Sequence, residues 1–200
     1  MGENALKETN PKSNPSKKTR ANEKLTLSQI DEGRRKALIN AEELVNDARL
    51  LLENFSWARA FLLSQSSLEE LGKYIMLISA ASNPDLERMD WKLFWNLFRF
   101  HKSFNRNQTL LKFLFVEMGN LKEHMKYLTE VHEKESVQET LINSSFYSDF
   151  LKNRFYGPQE YINDEIATYW VTVAERYLDA FKHFDGNIAG TRGLSKLRKV

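Results

Sequence analysis

The residues of greatest chemical promise in this chain lie together in one apolar stretch, Glu69-Glu70-Leu71-Gly72-Lys73. Helical spacing places Glu69 four residues and Glu70 three residues before Lys73, so either carboxylate can pair with the ammonium along one face. On an exposed face such a pair contributes only about a few tenths of a kcal/mol. Here the neighbours are Leu68, Leu71, Tyr74 and Ile75, the company of a buried helix, where removing one partner of a charge pair costs about 3–5 kcal/mol. The cluster is either a specificity device in the core or a site, and spacing alone leaves both open. Gly72 costs about 1 kcal/mol against alanine in a helix interior, which points to tight packing at that turn.

Other routes to chemistry are closed by the sequence. There is no cysteine, so disulfides, thiolate nucleophiles and cysteine-ligated metals are excluded, in keeping with a reducing compartment. The eight glycines are scattered, and no phosphate-binding loop, zinc-binding H-E-x-x-H or nucleophile elbow appears. His124 and His132, two helical turns apart with Glu123, Glu130 and Glu133 nearby, read as a solvated helical face. No metal and no cofactor are expected.

The 200 residues, at 23.4 kDa, suffice for one domain with tails; 42% are apolar and 12% aromatic, enough for a sizeable core. The net charge of +2 is unevenly spread. Residues 1–24 carry +3 and residues 187–200 carry +4 through Arg192, Lys196, Arg198 and Lys199, which leaves the body mildly acidic. The expected division is a disordered basic N-terminal tail over 1–24, a helical domain over 25–186 and a basic C-terminal tail over 187–200. With no signal peptide and no apolar run long enough to span a bilayer, a soluble cytoplasmic protein without a membrane partner is expected.

The elements that position the charged cluster follow from periodicity. Ser28 and Asp31 resemble a capping box, and Ile30, Ala37, Leu38, Ala41, Leu44, Val45, Ala48, Leu51 and Leu52 recur at helical steps to about Glu53. Its small residues Ala37, Ala41 and Ala48 allow another helix to approach closely. A second helix runs from Trp57 to about Ala81, apolar on nearly every side in its second half, so it is central; Asn83-Pro84 stops it. Asp90 caps a third, aromatic helix, and a fourth is expected over 107–134. The stretch 136–157 reads as irregular. Pro158 opens a last helix that Gly186 ends. The expected fold is all-α, a bundle of about five helices.

With these elements in place a resemblance becomes visible. Asn40-Ala41, Leu44, Asp47-Ala48 and Leu51-Leu52 are followed by Ala60 and Glu69-Glu70-Leu71-Gly72-Lys73. Then come Phe98-Arg99-Phe100-His101-Lys102, Tyr147-Ser148-Asp149, Pro158 and Glu165-Ile166-Ala167. In this order and spacing the chain resembles the bacterial abortive infection proteins of the AbiV family over roughly residues 34–185. It departs where the family often has a second lysine two places after His-Lys; Phe104 stands there. Such proteins resemble the HEPN helical class. The resemblance implies phage defence by growth arrest, through attack on or blockade of translation.

The resemblance points to Glu70, Lys73 and His101 as the reactive set, with Glu69, Arg99 and Lys102 as binding residues. Histidine would act as base on a ribose hydroxyl and lysine would hold a phosphate, or both would contact a ligand or partner. The ribonuclease motif of the class, arginine and histidine separated by four to six residues, has one match in Arg176 and His183. Twelve arginines and four histidines supply a match of that spacing by chance, and Tyr177 follows Arg176 where the motif prefers a polar residue. A structural arginine and a His183 favourable to the helix dipole are the stronger reading. Two functions stay open: an effector that blocks translation by binding RNA, the ribosome or a factor, and a metal-independent ribonuclease. The expected partners are RNA or a ribosome, a phage-encoded activator protein, and a second copy of the chain. The homodimer is suggested by the aromatic surplus Trp91, Phe94, Trp95, Phe98, Phe100 and Phe104, and by the habit of the class.

Overall fold

A computed structural model describes residues 23–99, 135–188 and 193–194. Within them lie α1 (Leu27–Glu53), α2 (Trp57–Ser82), a single 3-10 turn (Leu86–Arg88), α3 (Trp91–Arg99) and α4 (Glu135–Phe146). After these come strands β1 (Asp149–Leu151) and β2 (Arg154–Tyr156), then α5 (Pro158–Tyr161) and α6 (Asp164–Asn187). The fold is all-α, a helical bundle with one small hairpin. The helix expected over 107–134 falls outside the described residues.

Three long helices make the core. The alanine stripe of α1 is buried as expected, with Ala41 and Ala48 fully enclosed, and its absence of bulk lets α2 come close. Ser67 of α2 donates across to the Ala41 carbonyl at 2.9 Å. Near the other end of the pair, a Cβ on Gly33 would stand 3.2 Å from Leu77 Cδ1. Ser67 opposite Ala41 and Leu77 opposite Gly33 make α1 and α2 antiparallel. Helix α6 lies across both: Phe61 meets Trp170 and Tyr74 meets Phe181 edge to face, at 6.3 and 5.3 Å between centroids. It therefore runs parallel to α2 and antiparallel to α1. Such ring contacts add about 0.5–1.5 kcal/mol each to the burial itself. As its all-round apolarity requires, α2 is the most enclosed element.

Several expectations are corrected. The capping box at the start of α1 is Thr26 with Gln29, not Ser28 with Asp31: Gln29 N–H donates to Thr26 Oγ1, and Thr26 N–H to Gln29 Oε1. Asp31 is buried instead. The stretch 136–157 is ordered, not irregular, and holds α4 and the β1–β2 hairpin. Pro158 does occupy a first helical turn, but of the short α5; the long helix starts afresh at Asp164, where Asn163 Oδ1 accepts the Ile166 N–H at 2.9 Å. Gly186 lies within α6, which extends to Asn187. Ile188 and Leu194, in the stretch read as a basic tail, are core residues. Asp90 caps α3 as expected, accepting the Leu93 N–H at 2.9 Å.

Candidate functional site

Helix α2 carries charge on two sides of one turn. On its outer side Lys73 Nζ donates to Glu70 Oε1 at 2.5 Å, with the lysine side chain 27% and the glutamate 17% exposed. Of the two carboxylates that spacing offered, Glu70 makes this short contact; Glu69 beside it is half-buried. Gly72, on the same turn, is buried. The pair is thus neither a surface bridge free to fray nor a sealed core pair. It is an oriented cation that still meets solvent.

On the inner side of the same turn lies a second cluster. Tyr74 O–H donates to Asp185 Oδ1 at 2.8 Å. Asp185 also accepts from Arg34 Nη1. Arg34, 1% exposed, donates from Nε and Nη2 to Asp31 Oδ1 at 3.1 and 2.7 Å, and from Nη2 to the Ile188 carbonyl at 3.0 Å. Arg35, largely exposed, closes on the other Asp31 oxygen at 2.9 Å. Two arginines and two aspartates leave the cluster neutral. The planar guanidinium can bridge two carboxylates and a carbonyl at once, which a lysine cannot. Burial pushes the Tyr74 phenol well above its ordinary value despite the nearby guanidinium, so it stays a donor. This network ties α1, α2 and the end of α6 together.

Sequence reasoning missed that network, although a signal was present. Arg34 falls on the apolar stripe of α1, four residues after Ile30 and three before Ala37, where an unpaired charge could not be tolerated. Asp31, one turn away, fits a cap by spacing as well.

The remaining expected site residues are placed as follows. Arg99 is the last residue of α3 and exposed. His101 and Lys102 lie outside the described residues, as do His124 and His132. Arg176 and His183 are both exposed on α6; seven residues apart, they share a face about 10 Å apart along the axis. Nearby, the rim between α1 and α6 is laced by Arg49 to Glu175 and Lys182 to Glu42, each at 2.6 Å. Among the described residues no group of histidines and acids could hold a metal ion, and no helix is long and apolar enough to cross a membrane.

The aromatic surplus of α3 finds its partners within the chain. Trp91 and Phe94 are buried. Trp95 and Phe98 pack against the core, and Phe94 stacks on Phe98 with centroids 5.4 Å apart. The four described rings thus have ring or core contacts within the chain; Phe100 and Phe104 lie outside the described residues.

A family model described as AbiV, of the HEPN class, matches residues 29–179. The matched span includes Arg34, Glu70, Lys73, Tyr74 and Arg176, and ends before His183 and Asp185. No curated protein and no solved structure matches the chain.

Proposed function

The chain belongs to the AbiV family, and we propose from that premise that it arrests infected cells by blocking translation, through binding to RNA, the ribosome or a translation factor. Membership places it in abortive infection, a form of phage defence; the blocking step is our reading. The observation that carries it is Lys73, held by Glu70 at 2.5 Å yet 27% exposed, on a helix with 16 of its 26 residues buried. A cation fixed in this way suits a phosphate or a partner carboxylate, because little side-chain freedom remains to be lost on binding. His101 and Lys102 join it through the resemblance, as contacts to ribose, phosphate or a partner, and a phage-encoded protein is the proposed activator.

The test is purified, activated protein incubated with ribosomes and tRNA. Inhibition in proportion to protein, with intact RNA, is the expected result. New RNA ends accumulating beyond one per protein would establish the second reading, a metal-independent ribonuclease. One observation favours that alternative: Arg176 and His183 share an exposed face of α6. Against it, His183 lies beyond the span that matches the family.

A further inference from the structure

Helix α3 is held more firmly on one flank than on the other. At nine residues it is too short to persist by itself, so its contacts decide where it sits. Trp91 and Phe94 are its buried residues, and Trp91 Nε1 donates to the Leu86 carbonyl at 2.9 Å. Beside Leu93 and Leu97 a cleft of about 340 Å³ opens toward Met76 and Ala80 of α2. A close-packed interior leaves no void of that size, so this flank gives α3 room to move.

The opposite flank is strapped. Trp95 lies about 200° around the helix from both Leu93 and Leu97. Its indole Nε1 donates at 2.7 Å to the carbonyl of Glu23, in the extended residues that lead into α1. One residue on, Lys24 Nζ meets Glu87 Oε2, in the 3-10 turn before α3, at 2.6 Å. Leu25 then packs against the core. Of these three holds, the charge is the one most easily taken away. Lys24 and Glu87 are 54% and 79% exposed, and an exposed pair is held weakly. Upstream, residues 1–22 carry +3, from Lys7, Lys12, Lys17, Lys18 and Arg20 against Glu3 and Glu8, with no aromatic residue. That composition suits phosphates rather than stacked bases. A phosphate backbone gathered there attracts Lys24 and repels Glu87.

We propose that residues 23–25 are a strap through which RNA bound at the basic tail loosens α3. Phosphate draws Lys24 from Glu87, the Glu23 carbonyl leaves Trp95, and α3 shifts over its cleft. RNA acts because it binds the unstrapped state better: with the strap seated, the Glu87 carboxylate stands beside its phosphates. Helix α3 ends at Arg99, two residues before His101, so the shift reaches residues proposed to contact RNA or a partner. The choice of RNA rests on the function proposed above; the strap itself does not.

Amide hydrogen exchange, read by mass spectrometry, tests both parts. Lys24→Glu should speed exchange across α3 roughly three- to tenfold and leave α1, α2 and α6 unchanged. Adding Glu87→Lys should restore the native rate, since the reversed pair closes the same contact. Trp95→Phe, which removes the indole donor, should speed exchange by a similar factor. Native rates in α3 of both single variants, or equal acceleration throughout the bundle, would overturn the strap. The second part uses a single-stranded oligouridine of about 20 nucleotides. At saturation it should speed α3 exchange in the native chain, and not when Lys17→Gln, Lys18→Gln and Arg20→Gln are combined. No acceleration, or the same acceleration without those cations, would overturn the coupling. If α3 responds while translation is untouched, the strap stands and the proposed function falls; inhibition of translation with an unresponsive α3 is the reverse.

Discussion

Tyr74 O–H and Asp185 Oδ1, 2.8 Å apart, join the centre of α2 to the last turn of α6 across 111 residues of chain. The contact matters because Asp185 is also the second carboxylate on Arg34, so one bond in the core is shared by all three long helices. On the same turn of α2, one residue earlier, Lys73 points the other way toward Glu70. Packing on the inner side therefore fixes the register of the candidate site on the outer side.

Arg34→Met should be among the most destabilising single changes in the protein. It removes the only cation that reaches both Asp31 and Asp185 among the described residues and leaves buried carboxylate behind. The expected loss is about 3–5 kcal/mol, read from chemical denaturation. Arg34→Lys should recover less than half of this, because one ammonium cannot span both acids and the Ile188 carbonyl. Loss of under about 1 kcal/mol for Arg34→Met would mean that the network is ornamental.

Lys73→Met keeps the apolar stem and removes the charge. Because the Glu70 pair meets solvent, the cost should be about 1 kcal/mol, near the upper end for exposed pairs, rather than that of a sealed pair. The variant, and its double with Glu70→Gln, should be folded and fail to arrest growth. A fully active double mutant would end the binding role of this pair. Thermal melts and a growth-arrest assay on the same variants separate the two outcomes.

Phe55 closes α1 in left-handed backbone, φ 58°, and is largely exposed. Its N–H donates to the Leu52 carbonyl at 3.0 Å and the Ser56 N–H to the Leu51 carbonyl at 2.8 Å. That is the pairing of a Schellman motif, in which glycine is usual at this position. Phe55→Gly should stabilise the protein by about 1 kcal/mol by removing the left-handed penalty of a side chain. A raised denaturation midpoint at unchanged slope would establish it; a lowered one would show that the exposed ring has a packing role.

The three long helices were legible because their burial follows one period. Ile30, Ala37, Ala41, Val45 and Ala48 announce the buried stripe of α1, and the run from Leu68 to Ile78 announces a central helix. The Glu70–Lys73 pair was legible for the same reason, since it contrasts with its setting. The hairpin was not, because each strand has only three residues and its Lys152-Asn153 turn lacks glycine. Nor was the Arg34 network. Local spacing joins Asp31 to Arg34, but Tyr74 and Asp185 enter only through tertiary contact, and Asp31 fitted a cap equally well. The break between α5 and α6 was hidden because Pro158 and Asn163 are both good helix starts, and both are used.

Alkaline pH should weaken the fold through its buried phenols. Burial raises the ionisation of Tyr74 and Tyr177 above the ordinary value of 10.0, so the folded chain keeps these protons after the unfolded chain has lost them. A group whose folded value is raised contributes its full stability below the unfolded value and loses it above. Stability should therefore fall as pH climbs past about 10, with each phenol adding up to about 1.4 kcal/mol per pH unit. Tyr74→Phe isolates one share of that slope. At neutral pH it should cost about 1 kcal/mol, the net worth of a hydrogen bond, because Asp185 keeps its contact with Arg34. Above pH 10 the variant should lose stability more slowly than the native chain, so the two curves converge. Urea denaturation of both proteins from pH 8 to about 11.5 measures this. Parallel curves across that range would mean that Tyr74 ionises at the same pH folded and unfolded, and that water reaches its hydroxyl.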